Sequence, residues 1–133
     1  MPLATRVQIE DFEQLEDGLL GITIVGIEKV EIVKRWQEAD KLNVAEVTEL
    51  DSWPSQAVAA EYHELTLQLQ KMLLHYPALK ELYPEPKYAD AAWVASRYLE
   101  LLPMQPALKQ QLALQSSPAP CLDSLQAWLS YQA

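Results

Sequence analysis

The sequence is poor in cysteine, glycine and basic side chains: it has one cysteine, three glycines, and ten basic residues against nineteen acidic ones. Because Cys121 is the only cysteine, an internal disulfide is excluded, as is typical of proteins in a reducing compartment. No glycine occurs beyond residue 26, and neither a P-loop nor a Rossmann fingerprint is present. A net charge of −9 without a basic stripe argues against nucleic-acid binding, which needs clustered Lys and Arg.

Long apolar runs are also missing. No stretch approaches the roughly 20 apolar residues that span a bilayer, and residues 1–6 do not have the pattern of a signal peptide. We therefore expect a cytoplasmic protein without a membrane segment. Half of the 133 residues are apolar, which is enough for one core and too little for two ordinary domains.

The chain divides by composition into two parts of one predicted domain. Residues 1–51 contain 12 acidic and 5 basic residues, all three glycines, and β-branched runs typical of strands. Four strands are predicted, and Gly26 is expected to form a bulge or tight bend between two of them. They are centred on Val7 and Ile9, on residues 22–25, on residues 30–36, and on residues 42–47.

Residues 52–133 have the apolar periodicity of helices and eight of the nine prolines. A first helix is predicted on an apolar face that runs from Val58 to Tyr76, before Pro77. Asp90 is expected to cap a second helix, which Pro103 ends. Pro106 and Pro118 are expected to begin two more, and residues 83–87 a linker. The predicted fold class is α+β: an antiparallel β-meander followed by a bundle of about four helices.

Residues that could support catalysis or bind a metal do not form a recognisable pattern. The pair His63-Glu64 begins like a zincin helix, but Leu67 stands where the second histidine belongs. Five acidic residues could hold a hard cation or form a solvated acidic loop, and the loop is favoured: Glu10, Asp11, Glu13, Glu16 and Asp17. Cys121 is interpreted as a core residue. We expect no catalytic residue, no metal and no cofactor, and a small hydrolase is the least favoured function.

Three aromatic residues are candidates for binding a partner, because their positions do not force them into a core. Phe12 is predicted to follow a strand, inside the acidic loop; Trp36 ends a strand; Trp53 lies between the β part and the helical part. Exposed aromatic side chains often anchor partners. By contrast, the helical periodicity predicts that Trp93, Tyr98 and Trp128 are core residues. Packing at the junction of the two parts is the favoured alternative for Trp53.

Two stretches resemble the Lon N-terminal domain, also called the Lon substrate-binding domain. Residues 11–26 and 28–32, DFEQLEDGLLGITIVG and EKVEI, resemble its strand–glycine–strand core. Residues 93–103, WVASRYLELLP, with residues 109–112 and 122–129, are similar to its helical end. The resemblance runs over nearly all of the chain, and it implies a PUA-like β-barrel followed by helices. These are packing motifs, so they indicate a fold better than a function.

The resemblance implies a module that is not an enzyme. Full-length Lon proteases have an ATPase module and a Ser-Lys peptidase module after this domain, and this sequence has neither, so no catalytic residue is carried over. Short bacterial proteins with this domain alone exist, and the chain resembles one of them. The strands with which family members open are absent, so we expect an incomplete barrel with an open β edge.

Two functions remain open at this point. The first is a module that binds unfolded or apolar peptide segments, with Phe12, Trp36 and Trp53 as anchors and an acidic rim that favours basic-apolar peptides. The second is an adaptor or assembly protein that docks to a separate ATP-dependent protease. An open β edge also predicts self-association or the binding of an extended partner.

Overall fold

The computed structural model describes residues 2–132, and the chain forms two compact units. The first unit ends at Ser52 and contains a sheet; the second begins at Trp53 and contains the helices. Strands precede helices along the chain, and the predicted α+β class is confirmed.

The sheet has three antiparallel strands, β1 (Leu3–Gln14), β2 (Leu20–Gln37) and β3 (Asn43–Glu49), in the order β1-β2-β3. The predicted meander is therefore present, but the prediction of four strands is wrong, because the second and third predicted strands are one. In β2, Gly26 pairs with Val7 and Glu28 pairs with Arg6, so Ile27 is an extra, unpaired residue. This bulge lies beside the glycine that the sequence singled out, and it lets the strand continue where a break was expected.

Strand β1 is longer than its sequence indicates. Acidic residues interrupt its apolar alternation after Ile9, yet pairing with β2 continues to Gln14. Phe12 thus lies within β1, opposite Ile22, and the prediction that it follows the strand in a loop is wrong. Pairing with β2 stabilises the second half of β1 as a strand. The β-branched run in β2 has a high strand propensity, and it pairs with a segment of β1 whose own strand propensity is weak.

The second unit has five α-helices after a short 3₁₀ turn (Ala60–Tyr62) within the described residues. They are α1 (His63–His75), α2 (Pro77–Leu82), α3 (Ala91–Leu101), α4 (Pro106–Ala113) and α5 (Pro118–Gln132). The predicted helices at Asp90, Pro106 and Pro118 are confirmed. The first predicted helix begins later than expected, at His63, and Tyr76 is exposed. Pro77 ends α1 but also begins α2, since proline suits the first turn of a helix.

The hydrophobic core lies among the helices. Its members come from the 3₁₀ turn, from α1, α3, α4 and α5, and from the loop between α3 and α4. Leu69, Val94, Ala95, Cys121 and Leu125 have no exposed surface. The prediction that Cys121 is a core residue is confirmed. In the described sheet unit, residues 2–52, only Val30 is buried.

Two buried tyrosines connect the helices through their hydroxyl groups. Tyr98 of α3 donates to the carbonyl oxygen of Leu65 in α1, at 2.5 Å. Burial, reinforced by the charge of Glu64, raises the pKa of Tyr98 to about 12. Tyr62 donates to Oδ1 of Asp123 in α5, at 2.6 Å, and this hydrogen bond, together with burial, raises the pKa of Tyr62 to about 12.

The predicted linker at residues 83–87 is confirmed, since these residues form no helix or strand. An aromatic cluster stabilises its position on α3. The ring of Trp93 meets the rings of Tyr83 and Tyr88 edge to face, with centroids 5.9 and 5.5 Å apart. The guanidinium of Arg97 lies over Tyr83, 4.7 Å from the ring centroid, and over Trp93, at 5.6 Å.

Candidate functional site

One face of the β1–β2 hairpin is apolar and open to solvent. Residues that pair across antiparallel strands point to the same side of a sheet, and so do residues two apart along one strand. The pairs Val7–Gly26, Ile9–Ile24, Phe12–Ile22 and Gln14–Leu20 therefore share a side. We call its six apolar side chains the hairpin face: Val7, Ile9, Phe12, Leu20, Ile22 and Ile24.

A bulge in β1 creates this arrangement. Ile9 and Phe12 are three residues apart, so a regular strand would point them to opposite sides of the sheet. Ile9 pairs with Ile24 and Asp11 pairs with Thr23, which leaves Glu10 as an extra residue without a partner. The extra residue shifts the alternation by one, and Phe12 joins Ile9 on the same side.

The opposite side of the same hairpin is mostly polar. Gln8, Asp11, Glu13 and Thr23 alternate with the residues of the hairpin face and therefore point away from it. Val25 also points to this side, and Leu15 folds back onto it over Gly21, where an added Cβ would lie 3.0 Å from Leu15 Cδ2. Within the described residues of the sheet unit, the hairpin is thus amphipathic, and the side chains of its apolar side are exposed.

The exposure of the hairpin face is large. Its six side chains are 41% to 71% exposed, and Phe12 is the most exposed of them. A shallow cavity of about 400 Å³ lies next to Phe12 and is also lined by Glu13, Gln14, Gly18 and Leu20. Contiguous apolar patches of this kind are uncommon on monomeric proteins and mark surfaces that bind a partner.

Trp36 lies at the other end of β2. It pairs with Val44 of β3, and its ring lies under the ammonium of Lys34, 5.5 Å from the centroid. Its indole N–H donates to Oε1 of Glu38, at 3.2 Å. The ring is 40% exposed, so it offers an aromatic surface with a basic and an acidic neighbour. A cavity of about 620 Å³ adjoins it, lined also by Ile32, Arg35 and Ala45.

Trp53 is part of the helical unit. It packs against the core as a partly buried residue, and its indole N–H donates to the carbonyl oxygen of Gln115, at 2.7 Å. The hydrogen bond and the packing fix its orientation.

Two solved structures resemble the fold of this chain. A Lon N-terminal domain protein from Xanthomonas campestris is 28% identical with a TM-score of 0.73, over 95% of this chain and 67% of that chain. The chain folds as a Lon N-terminal-like domain. The N-terminal domain of the Lon protease of the Mycobacterium avium complex has the same fold, at 19% identity and a TM-score of 0.59, over 96% of this chain and 69% of that chain. No family model and no curated protein matches the sequence.

The three aromatic residues singled out in the sequence are divided between the two units of this Lon N-terminal-like domain. Phe12 lies in β1 and pairs with Ile22 near the start of β2, whereas Trp36 lies near the end of β2. Trp53 belongs to the helical unit. Phe12 is instead grouped with aliphatic side chains of its own hairpin. Sequence reasoning assigned Ile9, Ile22 and Ile24 to strands without a binding role. The alternation of residues 20–26 was the available signal. It indicates a strand with one apolar side, but it does not indicate whether that side is buried or exposed.

The remaining parts of the domain offer a different chemistry. A groove of about 460 Å³ between α1 and α5 is lined by Glu64, Gln68, Gln126 and Ser130 together with two leucines. Between residues 2 and 132, no three or more His, Cys, Asp or Glu side chains are grouped so that they could hold a metal ion. Over the same range, each helix is too short or too polar to cross a membrane.

Proposed function

We propose that this Lon N-terminal-like domain is a non-catalytic module that binds extended, apolar segments of other proteins on the hairpin face. The observation that supports the proposal is the set of six neighbouring apolar side chains that are 41% to 71% exposed. Moving such surface out of water provides about 25 cal/mol per Å² before the costs of association. The structural neighbour from the Mycobacterium avium complex is the N-terminal domain of a Lon protease, and a module that binds segments of other proteins fits such a context.

A binding role fits the chemistry of the hairpin face better than catalysis does. Its side chains are aliphatic or aromatic and contain no group that transfers a proton or attacks a carbonyl. Phe12 is the proposed main anchor, because it is the most exposed of the six. Trp36 is a proposed second anchor, and Trp53 stays a prediction, to be tested by Trp53→Ala.

The experiment compares two neighbouring residues that point to opposite sides of β2. Ile24 belongs to the hairpin face and is 52% exposed, and Val25 points to the other side and is 41% exposed. Threonine keeps the β-branched shape of isoleucine and valine and suits a strand, and its hydroxyl makes it less apolar than isoleucine, valine or phenylalanine. We expect Ile24→Thr and Phe12→Thr to weaken the binding of labelled unfolded-protein peptides in fluorescence anisotropy. Val25→Thr is expected to bind like the unchanged protein.

Equal binding by all three variants would contradict the proposed site.

A purification of tagged protein from cell extract separates this function from the adaptor alternative. Many unfolded clients in small amounts support segment binding, and one partner at fixed stoichiometry supports docking to a protease. Turnover of peptide substrates by the purified protein, abolished by a substitution in the chain, would contradict the non-catalytic assignment.

Self-association through the open β edge is the alternative to the binding of an extended partner there. Light scattering over a range of concentrations tests it, and a constant monomer mass would contradict it. The cytoplasm is the proposed compartment.

A further inference from the structure

Strand β1 has an outer edge that no other strand of residues 2–132 occupies. The order β1-β2-β3 makes β1 an edge strand of the sheet, and β2 is its hydrogen-bonded neighbour. All residues from Thr5 to Gln14 are exposed. A long exposed edge of this kind is a template on which an extended chain can add as a further strand.

The two sides of this edge differ in chemistry. On one side β1 presents Val7, Ile9 and Phe12 of the hairpin face; on the other it presents Asp11 and Glu13. A strand that adds to β1 continues the pleat, so its successive side chains lie alternately beside these apolar and acidic groups. The edge therefore fits a segment in which apolar and basic residues alternate.

The charge of the hairpin strengthens this selectivity. Residues 7–28 contain six acidic side chains and no lysine or arginine. The arginine closest in sequence, Arg6, is already paired with Glu28 at 2.5 Å. Opposite charges across neighbouring strands stabilise their pairing, and like charges destabilise it.

The same charges disfavour a second copy of this chain as the occupant. Two β1 strands that paired edge to edge would bring Glu10, Asp11 and Glu13 of one copy near the same residues of the other, without a basic residue between Val7 and Glu28 to offset them. Like charges on two identical edge strands discourage such pairing, whereas basic side chains of a different partner would offset them.

We propose that the outer edge of β1 binds, by strand addition, an extended segment of a partner protein in which apolar and basic residues alternate. Its apolar side chains extend the hairpin face, and its basic side chains lie beside Asp11 and Glu13. This inference rests on the proposed function, because it names the class of segment and the way in which the hairpin binds it.

The first test uses four labelled peptides of equal length. One alternates valine and lysine, one alternates valine and glutamine, one alternates valine and glutamate, and one contains valine and lysine in two separate blocks. We expect the alternating valine–lysine peptide to bind about tenfold more tightly than the glutamine peptide. The block peptide and the glutamate peptide are expected to bind more weakly still.

The four peptides distinguish this inference from the proposed function. Equal binding of the lysine, glutamine and glutamate peptides would keep the segment-binding function and overturn the charge selectivity. Equal binding of the alternating and block peptides would overturn strand addition. Binding of none of them would contradict both proposals, and self-association of the protein without peptide would show that the occupant is a second copy.

The second test changes the protein. Glu10→Gln with Glu13→Gln removes two charges from β1, and leaves Asp11, whose Oδ1 accepts the backbone N–H of Phe12 at 2.8 Å. The matched control, Glu46→Gln with Glu49→Gln, removes two charges from β3, the strand at the opposite edge of the same sheet. We expect the preference for the lysine peptide over the glutamine peptide to decrease in the β1 variant alone. Equal loss in both variants would overturn the assignment to β1.

The third test addresses the backbone. In a β-strand, alternate amides point to the same neighbour. N-methylation of one alternate set in the valine–lysine peptide removes its hydrogen bonds to β1, and methylation of the other set leaves them. We expect one methylated peptide to lose binding and the other to keep it. Equal effects of the two would contradict strand addition.

Discussion

Gly18 and Lys41 occupy the same position in two turns of the same design. In the β1–β2 turn the N–H of Leu15 donates to the carbonyl of Leu19, at 2.7 Å; in the β2–β3 turn Glu38 donates to Leu42, at 2.8 Å. The fourth residue of each turn has a positive φ, 83° at Gly18 and 70° at Lys41. Asp17 and Asp40 each accept the N–H of the residue two positions on, at 3.0 Å.

This correspondence predicts opposite effects of substitution at the two positions. Glycine adopts positive φ without the strain that a Cβ causes, whereas Lys41 has that strain. We expect Lys41→Gly to stabilise the sheet unit by about 1 kcal/mol and Gly18→Ala to destabilise it by about 1 kcal/mol. Urea unfolding, followed by hydrogen exchange of the strand amides, measures both. Stabilisation by Gly18→Ala would contradict the shared turn design.

A second prediction concerns the helical core. Leu69 and Leu74 lie on the same helix α1, but Leu69 has no exposed surface and Leu74 is 72% exposed. Leu69→Ala is expected to cost about 2–5 kcal/mol of unfolding free energy, because it leaves a cavity that the surrounding helices fill only in part. Leu74→Ala is the control and is expected to change the free energy by less than about 0.5 kcal/mol. Thermal and urea unfolding, followed by circular dichroism, make the comparison.

A third prediction concerns Asp90, which caps α3. Its Oδ1 accepts the N–H of Ala92 at 3.0 Å and the N–H of Gln56 at 3.2 Å. Asp90→Ala removes the acceptor of both hydrogen bonds and is expected to destabilise the helical unit by about 1–2 kcal/mol. Asp90→Asn keeps an oxygen acceptor without the charge and is expected to recover most of the loss. An equal loss in the two variants would show that charge, and not the cap, is the cause.

A fourth prediction concerns alkaline pH. The folded-state pKa values of Tyr62, Tyr83 and Tyr98 are each raised from 10 to about 12, mainly by the bond to Asp123 for Tyr62 and by burial for the other two. Below pH 10 these groups stay protonated in both states, and their stabilising contribution is complete. Between pH 10 and 12 the unfolded chain loses these protons first, so the unfolding free energy falls as the pH rises.

Tyr98→Phe tests this dependence. The variant loses the hydrogen bond to Leu65 and is expected to be about 1 kcal/mol less stable at neutral pH. Its stability should then fall less steeply between pH 10 and 12 than that of the unchanged protein. Tyr131 is 88% exposed, so Tyr131→Phe is the control and should keep the original slope. Identical slopes for all three proteins would contradict the assignment to Tyr98.

The helical half of the fold was largely predictable because its signals are local. Asp90 caps α3 by accepting an N–H two residues away, and Pro106 and Pro118 begin helices because their fixed φ suits the first turn. The apolar period places Leu65, Leu69, Leu122 and Leu125 in the core without knowledge of the partner helix. The false extension of the first helix to Val58 came from the same rule, since periodicity does not mark where the backbone first turns.

The sheet was less predictable because its details depend on pairing between distant residues. Nothing in the local sequence around Ile27 shows that β2 continues through it, since the bulge exists only against β1. The candidate site likewise depends on pairing between distant residues. The sequence identified Phe12 as an exposed aromatic, but it grouped Phe12 with Trp36 and Trp53 rather than with Ile9, Ile22 and Ile24.

The sequence alone determined the order of strands and helices, the acidic character of the first 51 residues, the helix caps and most of the helical core. These follow from backbone propensity, charge and period, which are properties of neighbouring residues. Only the tertiary structure decided that Phe12 shares a side with Ile9. The physical reason is the unpaired Glu10, because one extra residue in a strand reverses the side of every residue after it, and only the partner strand determines where that residue lies.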